Sequence, residues 1–164
     1  MTNRTRLRLV RALARRKEAL SKMPKYTELD IMEARKLADE LDLKGRDKFM
    51  TIPVQEAIEI CNGIGAEWMP ESFRAILDKL HPSVRVAAMI HDVRYQYGDG
   101  TDEDFKLANR ELFENGWTIG KHNYGWYNPL RYCVWNDSRR LANICDKFGR
   151  KAYDMARLNK MMRS

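Results

Sequence analysis

The sequence predicts an all-α protein, and three observations lead to that prediction. Apolar residues recur three or four positions apart along nearly the whole chain, which is the spacing of one face of a helix. No strand-like pattern is longer than four residues, and the chain has no internal repeat. Prolines and glycines fall between the periodic segments, where helices begin and end.

The first half of the chain predicts four helical segments. The first covers residues 4–23 and stops at Pro24. The second begins at Thr27, with Asp30 three positions later in the pattern of a capping box, and Gly45 follows it as a stop. Its predicted apolar face consists of Leu29, Ala34, Leu37, Ala38 and Leu41. Prolines at the first helical turn open the other two segments, residues 53–61 and 70–80.

The second half predicts a central helix and its neighbours. Pro82 opens a segment that is apolar around most of its circumference, which indicates a buried helix ending at Gly98. Thr101 and Asp104 form a second capping-box pattern, which starts a helix over residues 102–115. Three glycines and a proline predict a loop or broken helix over the next stretch. The last helices follow in two segments, residues 130–148 after Asn128 and Pro129, and residues 150–162 after Gly149.

Positive charge is concentrated at the N-terminus. Residues 1–25 hold nine of the 30 Lys and Arg residues and one of the 23 acids, so the remaining 139 residues hold 21 bases and 22 acids. We therefore expect a basic N-terminal helical arm, residues 1–25, and a single all-α domain, residues 26–164. The arm suits an anionic membrane surface, the phosphates of nucleic acid, a partner protein, or solvent alone.

Sequence features of secretion and membrane insertion are not found. No apolar run approaches the roughly 20 residues that a membrane span requires, and the N-terminus has no apolar signal-peptide core. The odd number of cysteines, Cys61, Cys133 and Cys145, and their wide spacing are typical of a reducing compartment rather than a disulfide framework.

A titratable pair, His91 and Asp92, follows the most apolar run of the chain. Tyr95 lies one turn further on the same helical face as His91. The next helix returns antiparallel after a short glycine turn, so Asn109 can face His91 and fix the imidazole tautomer. The alternative is a structural core histidine, with Asp92 paired to an arginine such as Arg94 or Arg85.

The segment "CNGIG", residues 61–65, carries two glycines at a helix end. Such a turn can direct backbone carbonyls to one point, and Ca²⁺ prefers carbonyl and carboxylate oxygens. Asp92 is available as the carboxylate. The alternative is an ordinary helix end followed by a turn.

Together, "CNGIG", "HDVRY" and "ANREL" resemble the phospholipase A2 family in its short bacterial, viral and phage-associated forms, over about residues 58–116. The resemblance implies a helical fold in which His91 is the general base and Tyr95 supports it. It also implies a Ca²⁺ ion held by Asp92 and the carbonyls of Cys61, Gly63 and Gly65. The metal would polarise the ester carbonyl of a phospholipid.

One departure from the family leaves two functions open, because Asn109 stands where the family has an aspartate. Loss of the carboxylate beside a catalytic histidine lowers turnover by about 10⁴-fold in serine proteases. The chain is expected to be a calcium-dependent phospholipase A2-like enzyme, slow or degenerate. Otherwise it is a non-enzymatic phage or mobile-element protein that uses the scaffold for virion assembly and residues 1–25 for nucleic acid or a partner. The expected location is the bacterial host cytoplasm or the virion.

Overall fold

The computed structural model describes residues 26–63 and 82–163, and the all-α class is confirmed because these residues form seven helices and no strand. The basic arm, the segment predicted over residues 70–80 and Gly65 lie outside the described residues. None of the seven helices has both the length and the apolar character needed to cross a bilayer. The helices are α1 (Glu28–Glu40), α2 (Arg46–Thr51), α3 (Val54–Gly63), α4 (Val84–Tyr97), α5 (Asp102–Asn123), α6 (Pro129–Phe148) and α7 (Arg150–Arg163).

The capping signals placed the starts of two helices correctly. The Thr27 side chain accepts a hydrogen bond from the Asp30 backbone, and the Thr27 backbone N–H donates one to the Asp30 carboxylate, which completes the predicted box before α1. The Thr101 side chain accepts a hydrogen bond from the Asp104 backbone at the start of α5, but the Thr101 N–H donates to Asp99, so the predicted box is not completed there. The predicted face of α1 was wrong at Leu29, which is exposed, because the helix buries Ile31 together with Ala34 and Ala38. The short helix α2 was not predicted.

Helix α4 is the centre of the fold, as its apolar circumference predicted. It packs against α5 and α7, and it also packs against α2 and α3. Eight of its 14 residues are buried, including His91. A second, smaller core joins α4, α5 and α7 through Tyr95, Phe105 and Tyr153. The element that carries His91 is therefore held from several sides.

The predicted loop over residues 116–130 was wrong at its N-terminal end, because α5 continues to Asn123. The glycines of this stretch permit close packing of α6 rather than a break in the chain. A Cβ atom at Gly116 would lie 2.0 Å from the Ser138 hydroxyl, and one at Gly120 would lie 3.0 Å from the Val134 side chain. Close contact between α5 and α6 offsets the roughly 1 kcal/mol that a glycine costs inside a helix.

Replacing Gly116 with alanine should destabilise the protein by about 1–3 kcal/mol, because the added methyl group has to displace buried Ser138. Urea unfolding of the variant measures the change. Gly125→Ala is the control, since a Cβ there meets only the exposed Tyr127 ring. A Gly116→Ala variant as stable as the parent would show that α5 and α6 do not approach this closely.

Candidate functional site

The structure brings together the three residues that were predicted to form the histidine site. The Nε2 atom of His91 lies 2.9 Å from Oδ1 of Asn109, and the Tyr95 hydroxyl donates to the same oxygen at 2.6 Å. All three side chains are buried. The His91 and Tyr95 rings are in contact, with centroids 4.0 Å apart. The antiparallel pairing of α4 and α5 therefore places Asn109 as expected.

A fourth residue, Asp146 of α6, was missed by the sequence analysis. Its Oδ1 atom accepts a hydrogen bond of 2.7 Å from Nδ2 of Asn109. A signal was present, because Asp146 follows Ala142 by four positions and so borders the buried face of its helix. Asn109 thus lies between a histidine and a carboxylate, and it contacts both.

Asp146 fixes the orientation of the Asn109 amide, and the amide in turn fixes the histidine tautomer. An ionised carboxylate only accepts hydrogen bonds, so the amide must turn its NH₂ group toward Asp146. Its carbonyl oxygen then faces Tyr95 and His91, and both have to donate to it. Burial raises the pKa of Tyr95, which keeps the phenol protonated as a donor. The hydrogen of neutral His91 is consequently on Nε2, and Nδ1 carries the lone pair.

The lone pair on Nδ1 lies beside Asp92. The Asp92 carboxylate is 3.8 Å from Nδ1, too far for a hydrogen bond, and its side chain is 39% exposed. Within residues 26–63 and 82–163, no group is hydrogen-bonded to Nδ1. A histidine held through one nitrogen, with the other nitrogen basic and next to a carboxylate, has the arrangement of a general base.

The predicted calcium ligands are described only in part, because Gly65 is not among the described residues. Cys61 and Gly63 form the last turn of α3, where carbonyl groups have no partner within the helix. Cys61 is close enough to Asp92 for the carboxylate to contribute, after burial, to raising the pKa of its thiol. Helix-end carbonyls and a carboxylate are hard oxygen donors that suit Ca²⁺. The described residues contain no cluster of three or more His, Cys, Asp or Glu side chains suited to a metal.

Ion pairs elsewhere in α4, α5 and α7 exclude Arg94 as the partner of Asp92 and Asp102 as a partner of His91. Arg94 binds Asp104 at 2.7 Å and Glu111 at 3.0 Å, so it is not the partner of Asp92. Asp102, an acid at the start of α5, is paired with Arg150 and is not a partner of His91. These carboxylates serve the packing of α4, α5 and α7 rather than the histidine.

The buried cysteines do not provide a nucleophile. Burial raises the pKa of the Cys145 thiol to about 12, and it also raises that of Cys61. Both thiols therefore remain protonated at neutral pH. His91, in contrast, has a ring nitrogen, Nδ1, to which none of the described residues is hydrogen-bonded.

The aromatic side chains around the α5–α6 turn form two groups, one packed against other residues and one exposed. Tyr124 packs against the core, and Trp117 is covered by the Arg131 guanidinium, 4.9 Å from its ring centre. Trp126 and Tyr127, in contrast, are 77% and 78% exposed. The second group does not anchor the turn to the core, and its side chains are available to a partner.

The described residues define an all-α protein in which a buried histidine, tyrosine and amide form a network with an exposed carboxylate between α4, α5 and α6. The chain matches no family model, and no curated protein or solved structure is significantly similar to it. The family resemblance consequently rests on the three sequence motifs, and the function stays a proposal.

Proposed function

We propose that this chain is a phospholipase A2-like hydrolase that cleaves acyl esters of phospholipids with the help of Ca²⁺. The observation that carries the proposal is the orientation of His91, whose Nε2 is bound to Asn109 while Nδ1 lies beside Asp92 with no hydrogen-bond partner among the described residues. This is the arrangement that water activation requires. The motif resemblance supplies the substrate class and the metal.

His91 acts as the base for an attacking water molecule. Nδ1 takes a proton from the water as its oxygen bonds to the ester carbonyl carbon, and the imidazolium later returns that proton to the leaving alcohol. Asp92 at 3.8 Å stabilises the imidazolium directly, and Asp146 stabilises it through Asn109. A bound Ca²⁺ ion, held by Asp92 and the carbonyls of Cys61, Gly63 and Gly65, supplies polarisation of the ester carbonyl.

The surface near the α5–α6 turn supports a lipid partner. Residues 116–136 contain no acidic residue, and they include the basic Lys121 and Arg131. Trp126 and Tyr127 project from this segment into solvent. Exposed tryptophan and tyrosine beside cationic side chains are typical of surfaces that bind the headgroup region of anionic membranes.

Two observations favour the second candidate, a non-enzymatic phage or mobile-element protein. The amide of Asn109 carries no charge to stabilise an imidazolium. The C-terminal helix α7 also exposes an apolar set that fits a neighbouring protein subunit: Met155, Leu158, Met161 and Met162. In this case the histidine network is a structural element of the core.

Calcium should raise the melting temperature of the protein, and Asp92→Ala should remove the increase. Ligand at 100 times its Kd stabilises a folded protein by about 2.7 kcal/mol. Thermal unfolding with and without CaCl₂ measures the shift. The control is Asp47→Ala, which removes an exposed carboxylate of α2 that has no hydrogen-bond partner among the described residues. A calcium shift that persists in Asp92→Ala, or no shift in the parent, contradicts the metal site.

Hydrolysis of anionic phospholipid vesicles tests the enzyme itself. We expect EDTA to abolish turnover and His91→Ala to lower it by at least about 10²-fold, because a general base contributes that much. His122→Ala is the matched control, since this histidine is exposed at the end of α5. Parent protein that releases no fatty acid with calcium present would favour the assembly role instead.

A further inference from the structure

Helices α5 and α6 line an open cleft of about 620 Å³, and Asn109 and Asp146 are among its lining residues. His91 does not line it, so the cleft is separate from the basic Nδ1 atom. Its volume lies within the range of pockets that bind small molecules. Positive and aromatic side chains dominate its walls.

Three cationic side chains line the cleft, Lys106 and Arg110 from α5 and Arg139 from α6. All three are exposed, and none of them is paired with a carboxylate among the described residues. Cations of the neighbouring helices are paired, as Arg94 of α4 and Arg150 of α7 show. The lining holds these three cations and one carboxylate, that of Asp146, and the resulting excess of positive charge on a concave surface attracts an anion.

An apolar wall completes the cleft. Phe113 and Trp135 meet edge to face with ring centroids 6.5 Å apart, and the Arg139 guanidinium lies 5.4 Å above the Trp135 ring. Charge and aromatic surface are therefore side by side. The carboxylate of Asp146 also lines the cleft and repels an anion from its own position.

We propose that this cleft binds a small organic phosphate. Its phosphate group contacts Arg110, Arg139 and Lys106, because arginine guanidinium groups match phosphate oxygens with paired hydrogen bonds. Its apolar portion packs on Phe113 and Trp135. Two kinds of molecule carry this chemistry, an alkyl or acyl phosphate and a nucleotide.

Calorimetric titration of the full chain with octyl phosphate, adenosine monophosphate and inorganic phosphate tests the proposal. We expect at least one organic phosphate to bind at least about tenfold more tightly than inorganic phosphate, since the apolar portion adds buried surface. Arg110→Gln and Arg139→Gln should each weaken that binding by about tenfold or more. Arg140→Gln, an exposed neighbour outside the cleft, is the control and should leave the affinity unchanged.

The outcomes separate the two sources of the phosphate. Tighter binding of octyl phosphate supports an alkyl or acyl phosphate, and tighter binding of adenosine monophosphate supports a nucleotide. Trp135→Leu should weaken the preferred ligand without weakening inorganic phosphate. Failure of both organic phosphates to bind at millimolar concentration, or equal losses in Arg140→Gln and Arg139→Gln, overturns the proposal. Neither result depends on whether His91 hydrolyses an ester.

Discussion

Replacing Asn109 with leucine should destabilise the protein by about 2–5 kcal/mol, because two buried donors lose their shared acceptor. The Tyr95 hydroxyl and the His91 Nε2–H group both donate to the Asn109 carbonyl oxygen, and both side chains are only 6% exposed. A buried polar group left without a partner costs about 1–3 kcal/mol. The third partner, Asp146, is exposed and can bind water instead.

Urea unfolding of Asn109→Leu measures this loss, with Asn143→Leu as the control. Asn143 is an exposed asparagine of α6, where we expect a change within about 0.5 kcal/mol. A double-mutant cycle with Tyr95→Phe separates the two buried donors. Removing the Tyr95 hydroxyl together with Asn109 should cost less than the sum of the two single changes, since no phenol is then left unpaired. Strict additivity would show that the hydroxyl does not depend on Asn109.

The sequence predicted the parts of the fold that depend on local chemistry. Thr27 with Asp30 and Thr101 with Asp104 marked helix starts correctly, because a capping side chain bonds to backbone only three residues away. The predicted break after residue 115 was wrong because the structure at this position depends on a contact with a distant part of the chain. Gly116 is helical because Ser138 of another helix packs against it, and that contact is not visible in a local pattern.

The same distinction applies to the histidine site. Asn109 could be placed opposite His91 because a short glycine turn forces α4 and α5 to run antiparallel, which fixes their register. Asp146 is 37 positions from Asn109 along the chain, and its place depends on how α6 packs on α5. The sequence thus suggested an uncharged substitute for the family aspartate. The structure adds a carboxylate one hydrogen bond further from the histidine.

Asp146 changes what is expected of a substitution that places an aspartate at position 109. Asn109→Asp alone replaces the amide with a carboxyl group. That group would lie as close to Asp146 as the amide does in the parent, where Nδ2 of Asn109 is 2.7 Å from Oδ1 of Asp146. Two carboxylates so close cannot both ionise, so the folded variant retains a proton that its unfolded chain loses at about pH 4. A group whose pKa is higher in the folded protein than in the unfolded chain stabilises the folded state fully at pH values below its unfolded pKa. This stabilisation is lost as the pH rises through the folded pKa.

Exchanging the two residues, Asn109→Asp with Asp146→Asn, should remove that repulsion and raise turnover. The carboxylate at position 109 would accept from Tyr95, His91 and the new amide, so every hydrogen bond of the network is kept and the total charge is unchanged. An opposite charge in direct contact raises the pKa of an imidazole by about 1–3 units, which stabilises the imidazolium formed during catalysis. The gain has an upper limit of about 10⁴-fold, the known effect of the corresponding carboxylate in serine proteases.

Nuclear magnetic resonance titration of His91 and vesicle hydrolysis measure the two effects separately. A raised pKa without faster hydrolysis would show that the charge beside Nε2 does not limit hydrolysis, and it would contradict the proposed effect of the residue at position 109.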